Sequence, residues 1–104
     1  MVKNTKAIIV VHLGGNASDM DEIMKIATKN KIHVVEDAAP AIGAKFKNKL
    51  VGTFGIASAF SFQGAKLVVA GEGGMISSDD EELINIARSL AWWGRDCFCC
   101  DRKR

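Results

Sequence analysis

The chain has 104 residues, 48% of them hydrophobic and 25% charged, with a net charge of +2. That is enough for one domain with a modest core, and so slight a charge argues against a nucleic-acid or membrane-surface partner. No apolar run approaches the roughly 18 residues a membrane helix requires. The opening run also lacks a secretory cleavage pattern, so the chain is expected in the cytoplasm.

Ala7 to Leu13, reading AIIVVHL, is a continuous apolar run rich in β-branched residues, which predicts a strand covered on both faces. His12 is its one polar interruption. A lone strand histidine reads as structural more readily than catalytic, although its place near the strand end leaves it within reach of a site. Gly14, Gly15 and Asn16 break the strand. Ser18 is placed to cap the next helix, with Asp21 as an imperfect capping box. Met20, Ile23, Met24 and Ala27 recur there at helical spacing while Lys25 and Lys29 face elsewhere. Ile32 to Glu36 is the next strand and completes a β-α-β unit, for which parallel strands and a right-handed crossover are expected. VVEDAAPAIG, from Val34 to Gly43, puts an acidic pair at the C-terminal end of a buried strand. In open α/β sheets that end is where ligands sit.

Ala44 to Val51 alternates Lys45, Lys47 and Lys49 with smaller or apolar residues around Asn48, the pattern of a small exposed hairpin with a solvated lysine face. Ala57 to Phe62 is the following strand, with Ser61 near its end. The stretch from Ala59 to Met75, AFSFQGAKLVVAGEGGM, sets Lys66 inside an otherwise apolar and glycine-rich run. Burial there disfavours the charged ammonium and lowers its pKa, which makes the amine a nucleophile for carbonyl carbon. Taken alone, a stem that snorkels to water is the plainer reading of such a lysine. GEGG at Gly71 to Gly74 has no following lysine and serine or threonine, so it is not a nucleotide loop; it reads as a tight turn or as backbone passing close to a bound ring. Met75 to Ser77 is a strand, and Ser78-Asp79-Asp80-Glu81 is a capping box opening a helix with Leu83, Ile86, Ala87 and Leu90 on one face. Gly94 ends that helix.

All three cysteines fall at Cys97, Cys99 and Cys100, a poor disulfide framework that fits reduced thiols in a reducing compartment. Their C-x-C-C spacing lacks a second ligand pair, and His12 and His33 are remote in sequence, so no metal site is expected.

Taken together, EDAA at Glu36 to Ala39, FSF at Phe60 to Phe62 with Lys66 after it, and GEGGM at Gly71 to Met75 resemble the pyridoxal-phosphate-dependent sugar aminotransferases of the DegT/StrS family. VHLGGN at Val11 to Asn16, DMDEIM at Asp19 to Met24 and VGTFG at Val51 to Gly55 extend the resemblance over nearly the whole chain. It implies an α/β fold, part of a fold-type-I large domain, with a mostly parallel sheet, flanking helices and a small hairpin. Residues 1–104 would form a single partial domain. It implies pyridoxal 5′-phosphate as cofactor, with a Schiff base through Lys66, Asp37 on the pyridine nitrogen and Ser61 on the phosphate. The implied reaction is amino transfer to a nucleotide-linked keto-deoxysugar, with glutamate as amino donor and a homodimer as the full-length assembly.

The sequence departs from the family at several points. Pro40 stands three residues after Asp37, where the family usually has a glutamine that reaches the cofactor's phenolic oxygen. Gly55-Ile56 replaces a common Gly-Asp, and Val10 and Gly14 stand where the family often has a proline and an aromatic. WGRDC at Trp93 to Cys97 resembles a subgroup of deoxysugar 3-dehydrases, but that subgroup has histidine where this chain has Lys66, which weighs toward transamination. The chain matches only a central part of the family's large domain. It is therefore expected to be incomplete as an enzyme by itself, the alternatives being a dehydrase relative or a truncated α/β module without catalysis.

Overall fold

The computed structural model describes residues 4–91. Gly94, the cysteines at Cys97, Cys99 and Cys100, and the WGRDC segment lie outside the described residues. Strand β1 (Ala7–Val11) leads through a short 3-10 turn at Leu13–Gly15 into helix α1 (Met20–Asn30) and then strand β2 (His33–Asp37). A hairpin follows, β3 (Lys45–Phe46) and β4 (Lys49–Leu50), then β5 (Ala57–Ser61), β6 (Gly74–Ser77) and helix α2 (Glu81–Ala91). The main sheet runs in the order β1-β2-β5-β6, and β3 pairs with β4 alone. β1, β2 and β5 are mutually parallel, and β6 joins β5 antiparallel. This is the α/β, mostly parallel architecture with flanking helices and a hairpin that the sequence implies.

Strand alternation sends successive side chains to opposite faces, and the two faces here have different fates. Val10, Val34, Glu36 and Ser58 are buried on one face, where Met20 and Ala27 of α1 complete a core that also takes in Ile8, Ile23, Met24, Phe46 and Phe54. The helical stripe read from the sequence is the packed stripe. Phe46 and Phe54 meet edge-on with ring centroids 6.1 Å apart, and through them the hairpin leans on the same side of the sheet. On the other face Ile9 is 71% exposed and Val11 is 45% exposed. The expectation that β1 is covered on both sides is met on one side only.

Three local features differ from the sequence reading. β1 ends at Val11 rather than Leu13 because Gly14 and Gly15 take positive φ and turn the chain early. Asp19, not Ser18, caps α1 by accepting from the Glu22 N–H; Ser18 is engaged elsewhere, donating its hydroxyl to the Val11 carbonyl and its N–H to His12 Nδ1. Likewise Asp80 caps α2 through the Leu83 N–H at 3.0 Å, while Ser78 ties the helix entry back to the Ile56 carbonyl. α2 turns Ile84, Ala87, Arg88 and Ala91 toward a groove beside β5 and β6. Ile86 and Leu90, expected on its packing face, stand more than half exposed.

Candidate cofactor site

The C-terminal ends of β1, β2 and β5 come together at one edge of the sheet, as parallel pairing requires. Pairing continues past the strand ends: the His12 N–H bonds the Asp37 carbonyl at 3.1 Å, and the Ala38 N–H bonds the Ala59 carbonyl at 3.0 Å. Asp37 registers with Val11 on one side and Ala59 on the other. Ser61 follows Ala59 by two residues, so Asp37 and Ser61 point to the same face. It is the face on which Ile9 and Val11 stand exposed.

Asp37 is half-buried, and its Oδ1 accepts the Ala39 N–H at 3.1 Å. This short turn fixes the carboxylate and leaves its second oxygen to meet a ligand. The Ser61 hydroxyl accepts from the Gln63 N–H at 3.5 Å and keeps its own proton to donate. Beyond Ser61 the chain closes a loop, with the Phe62 N–H on the Gly73 carbonyl and the Ala70 N–H on the Phe62 carbonyl. Within it a turn from Gln63, whose carbonyl accepts the Lys66 N–H at 2.9 Å and whose side chain accepts the Ala65 N–H, carries Lys66.

Lys66 lines a cleft of about 240 Å³ together with Gly14, Ala39, Pro40, Ile42, Ala65 and Leu67. Each of the three strand ends thus contributes a wall. Lys66 itself is half-buried, whereas Leu67 is 87% exposed and Val68 and Val69 are also exposed. The apolar flank that singles out this lysine in the sequence lies outward among the described residues. Asp37 and Ser61 do not line the cleft, though Ala39, which holds Asp37, does. Pro40, the departure from the family's glutamine, is in the cleft wall, where it offers no hydrogen bond.

The donor set suits pyridoxal phosphate chemically. An amine, a carboxylate with one oxygen uncommitted and a hydroxyl with a free proton match an aldehyde, a pyridinium and a phosphate in kind. Among the described residues no cluster of His, Cys, Asp and Glu is arranged to hold a metal ion, and no helix is long and apolar enough to cross a membrane.

Sequence reasoning passed over the most heavily bonded side chain among the described residues. Glu36 is fully buried and accepts four hydrogen bonds: Oε1 from the Phe54 and Gly55 N–H groups at 2.6 and 2.8 Å, Oε2 from the Gly52 N–H at 2.6 Å and from His12 Nε2 at 3.0 Å. Burial pushes its carboxyl up, but the bonds from Gly55, Gly52, His12 and Phe54 together hold it below the ordinary value. Two glycines make the approach possible. A Cβ on Gly55 would sit 2.3 Å from the Val34 carbonyl oxygen, and one on Gly52, at φ +86°, would sit 2.5 Å from the Phe60 ring. A signal was present in the sequence: with Val34 inward, alternation puts Glu36 inward and Asp37 outward, so an acidic pair at a strand end must split into a core member and a site member.

The model of the DegT/DnrJ/EryC1/StrS aminotransferase family matches residues 1–102. The chain is 45% identical to a GDP-perosamine synthase of Caulobacter vibrioides over 88% of this chain and 25% of that protein. Its fold superposes on the Helicobacter pylori aminotransferase PseC, involved in the biosynthesis of pseudoaminic acid, with a TM-score of 0.85 at 30% identity, covering 94% of this chain and 27% of the other. A GDP-4-keto-6-deoxy-D-mannose-3-dehydratase from E. coli, solved with bound hydrated PLP, gives a TM-score of 0.80 at 40% identity over 86% of this chain and 23% of that one. The chain spans about a quarter of the length of the curated relatives it matches.

Proposed function

Given that the chain belongs to the DegT/DnrJ/EryC1/StrS aminotransferase family, we propose that it is the cofactor-binding segment of a pyridoxal-phosphate-dependent aminotransferase acting on nucleotide-linked keto-deoxysugars. The observation that carries this reading is the meeting of three strand ends, which sets Asp37 and Ser61 on one face and Lys66 in the adjoining cleft. When bound, pyridoxal phosphate supplies an electron sink for carbanion density. Lys66 would hold the cofactor through its side-chain amine, and that amine, when free, would be the group that moves a proton. Asp37 would hold the pyridine nitrogen through its uncommitted oxygen, an anion there being what keeps such a nitrogen protonated. Ser61 and N–H groups of its loop would bind the phosphate. Glutamate as amino donor, a homodimeric assembly and a cytoplasmic setting belong to the same reading. So does a single partial domain over residues 1–104.

Reductive trapping tests the assignment. Borohydride reduction after incubation with pyridoxal phosphate, followed by peptide mapping, is expected to find the label on Lys66 and to lose it in Lys66→Ala; label spread evenly over the surface lysines would refute it. Amino transfer from glutamate to a nucleotide-linked ketosugar by the 104-residue chain is expected to stay near the Lys66→Ala blank. Tight binding also needs a fuller phosphate cup, a stacking aromatic and a wall that excludes water, none of which the described residues supply. The likeness to a 3-dehydratase supports the alternative of a dehydrase relative, against which Lys66 in place of histidine counts. The exposed face of β1 supports the other alternative, a truncated α/β module without catalysis.

A further inference from the structure

Glu36 and His12 take no part in the site as described, yet both walls of the Lys66 cleft that come from β1 and β2 hang from them. We propose that Glu36, acting through His12 and through its neighbour Asp37, is the positioning residue of the cofactor cleft; this rests on the reading of Lys66 and Asp37 given above.

The geometry runs through two arms. In the first, Oε2 accepts a hydrogen bond from His12 Nε2–H, and the opposite ring nitrogen, Nδ1, accepts the Ser18 N–H at 3.1 Å. The imidazole therefore bridges the chain before and after the Leu13–Gly15 turn, and Gly14 of that turn is in the cleft wall. In the second, Glu36 anchors the last turn of the β2 ribbon from below. Asp37 is the next residue and projects from the opposite face, where it holds Ala39, the next wall residue. Gly52, Phe54 and Gly55 supply the remaining donors, so the carboxylate is bonded on both oxygens and cannot swing.

Every partner of Glu36 is a donor, and this makes the residue hard to replace. An amide in its place would turn N–H groups toward two of those donors. His12 could relieve the clash only by moving its proton to Nδ1, where the Ser18 N–H already points. Glu36→Gln therefore disturbs the cleft through a side chain that never touches it.

Two measurements on the full 104-residue chain test this. The first is the ratio of reduced pyridoxyl label on Lys66 to that on exposed Lys45, by peptide mass spectrometry. It is expected to fall about tenfold in Glu36→Gln, the scale of loss that follows sub-ångström misplacement of a reacting group. The second is hydrogen exchange, which is expected to accelerate in both 13–18 and 38–42 while the amides of α1 keep their protection. A folded Glu36→Gln chain with an unchanged label ratio would overturn the proposal, as would unchanged exchange in either segment. If Glu36→Gln fails to fold, His12→Phe keeps the ring volume and three of the four Glu36 bonds. It is expected to lower the Lys66 ratio and loosen 13–18, and no change in a folded His12→Phe chain would likewise overturn the proposal. Absence of any Lys66 preference in the unaltered chain would instead refute the cofactor assignment, and with it the positioning role built on it.

Discussion

Glu36 couples stability to pH in a definite direction. Its folded-state carboxyl is held below a glutamate's ordinary value near 4.5, so its contribution is fully present above that value and is lost as pH falls through the lower folded one. A urea titration repeated at descending pH is expected to show stability declining below about pH 4.5, with a shallower decline in Glu36→Gln. Glu36→Ala removes the acceptor of four donors, two in buried and two in part-buried bonds, and is expected to cost about 3–5 kcal/mol, read as a shift in the urea midpoint. Gly55→Ala forces a methyl against the Val34 carbonyl and is expected to cost about 2 kcal/mol by the same measurement. At this scale the sequence was only half legible. Lys66 and the acidic pair at the end of β2 stand out by chemical type and setting, and Asp37 and Ser61 take their roles from the family resemblance, whereas the value of Glu36 comes from backbone N–H groups 16 to 19 residues away, which no side-chain pattern announces.

The elements were more legible than their ends. Apolar runs and helical stripes located all four strands of the main sheet, the hairpin and both helices, because burial of one face imposes those periods on the sequence. The caps were misread by one or two positions for a physical reason: several hydroxyls and carboxylates crowd each helix start, and tertiary partners decide which one is free to cap. Ser18 is drawn to His12 and Val11, and Ser78 to Ile56, leaving Asp19 and Asp80 as caps. Asp80→Ala is thus expected to destabilise α2 by about 1 kcal/mol, and Ser18→Ala is not expected to weaken α1 through its cap. Circular dichroism at 222 nm during thermal melting would separate the two. The face of α2 was misjudged in part: Ala87 lines the groove as expected, but Ile84 does so while Ile86 and Leu90 stand exposed, because the helix meets the sheet along β6.

For the whole molecule the decisive feature is the imbalance between the two faces of the sheet. Register sets Ile9 beside Val35, and Val11 and Asp37 beside Ala59 and Ile76, so the exposed side carries an apolar band ending at the proposed cofactor residues. Apolar area left in water favours association. The apparent mass of the chain in light scattering is expected to rise with concentration, and Ile9→Lys with Ile76→Lys is expected to hold it at the monomer mass. Unchanged association in that double variant would mean the band is not the contact. The parallel sheet itself followed from the β-α-β pattern, but that Ile9 and Val11 stand exposed on one face is invisible in a strand that is apolar on both sides.

The order of the main sheet, β1-β2-β5-β6, follows the order of the chain, and this bears on how the molecule folds. Each strand joins an edge that its predecessor has already made, so the contacts are short in sequence and the search for them is brief. One step interrupts the progression. The first β-α-β unit ends with Glu36 turned inward, and three of its four donors arrive only with residues 52–55. A nascent chain that has emerged only as far as β2 holds that carboxylate against its core with His12 as its one donor, so the smallest unit able to satisfy it during synthesis reaches at least to Gly55.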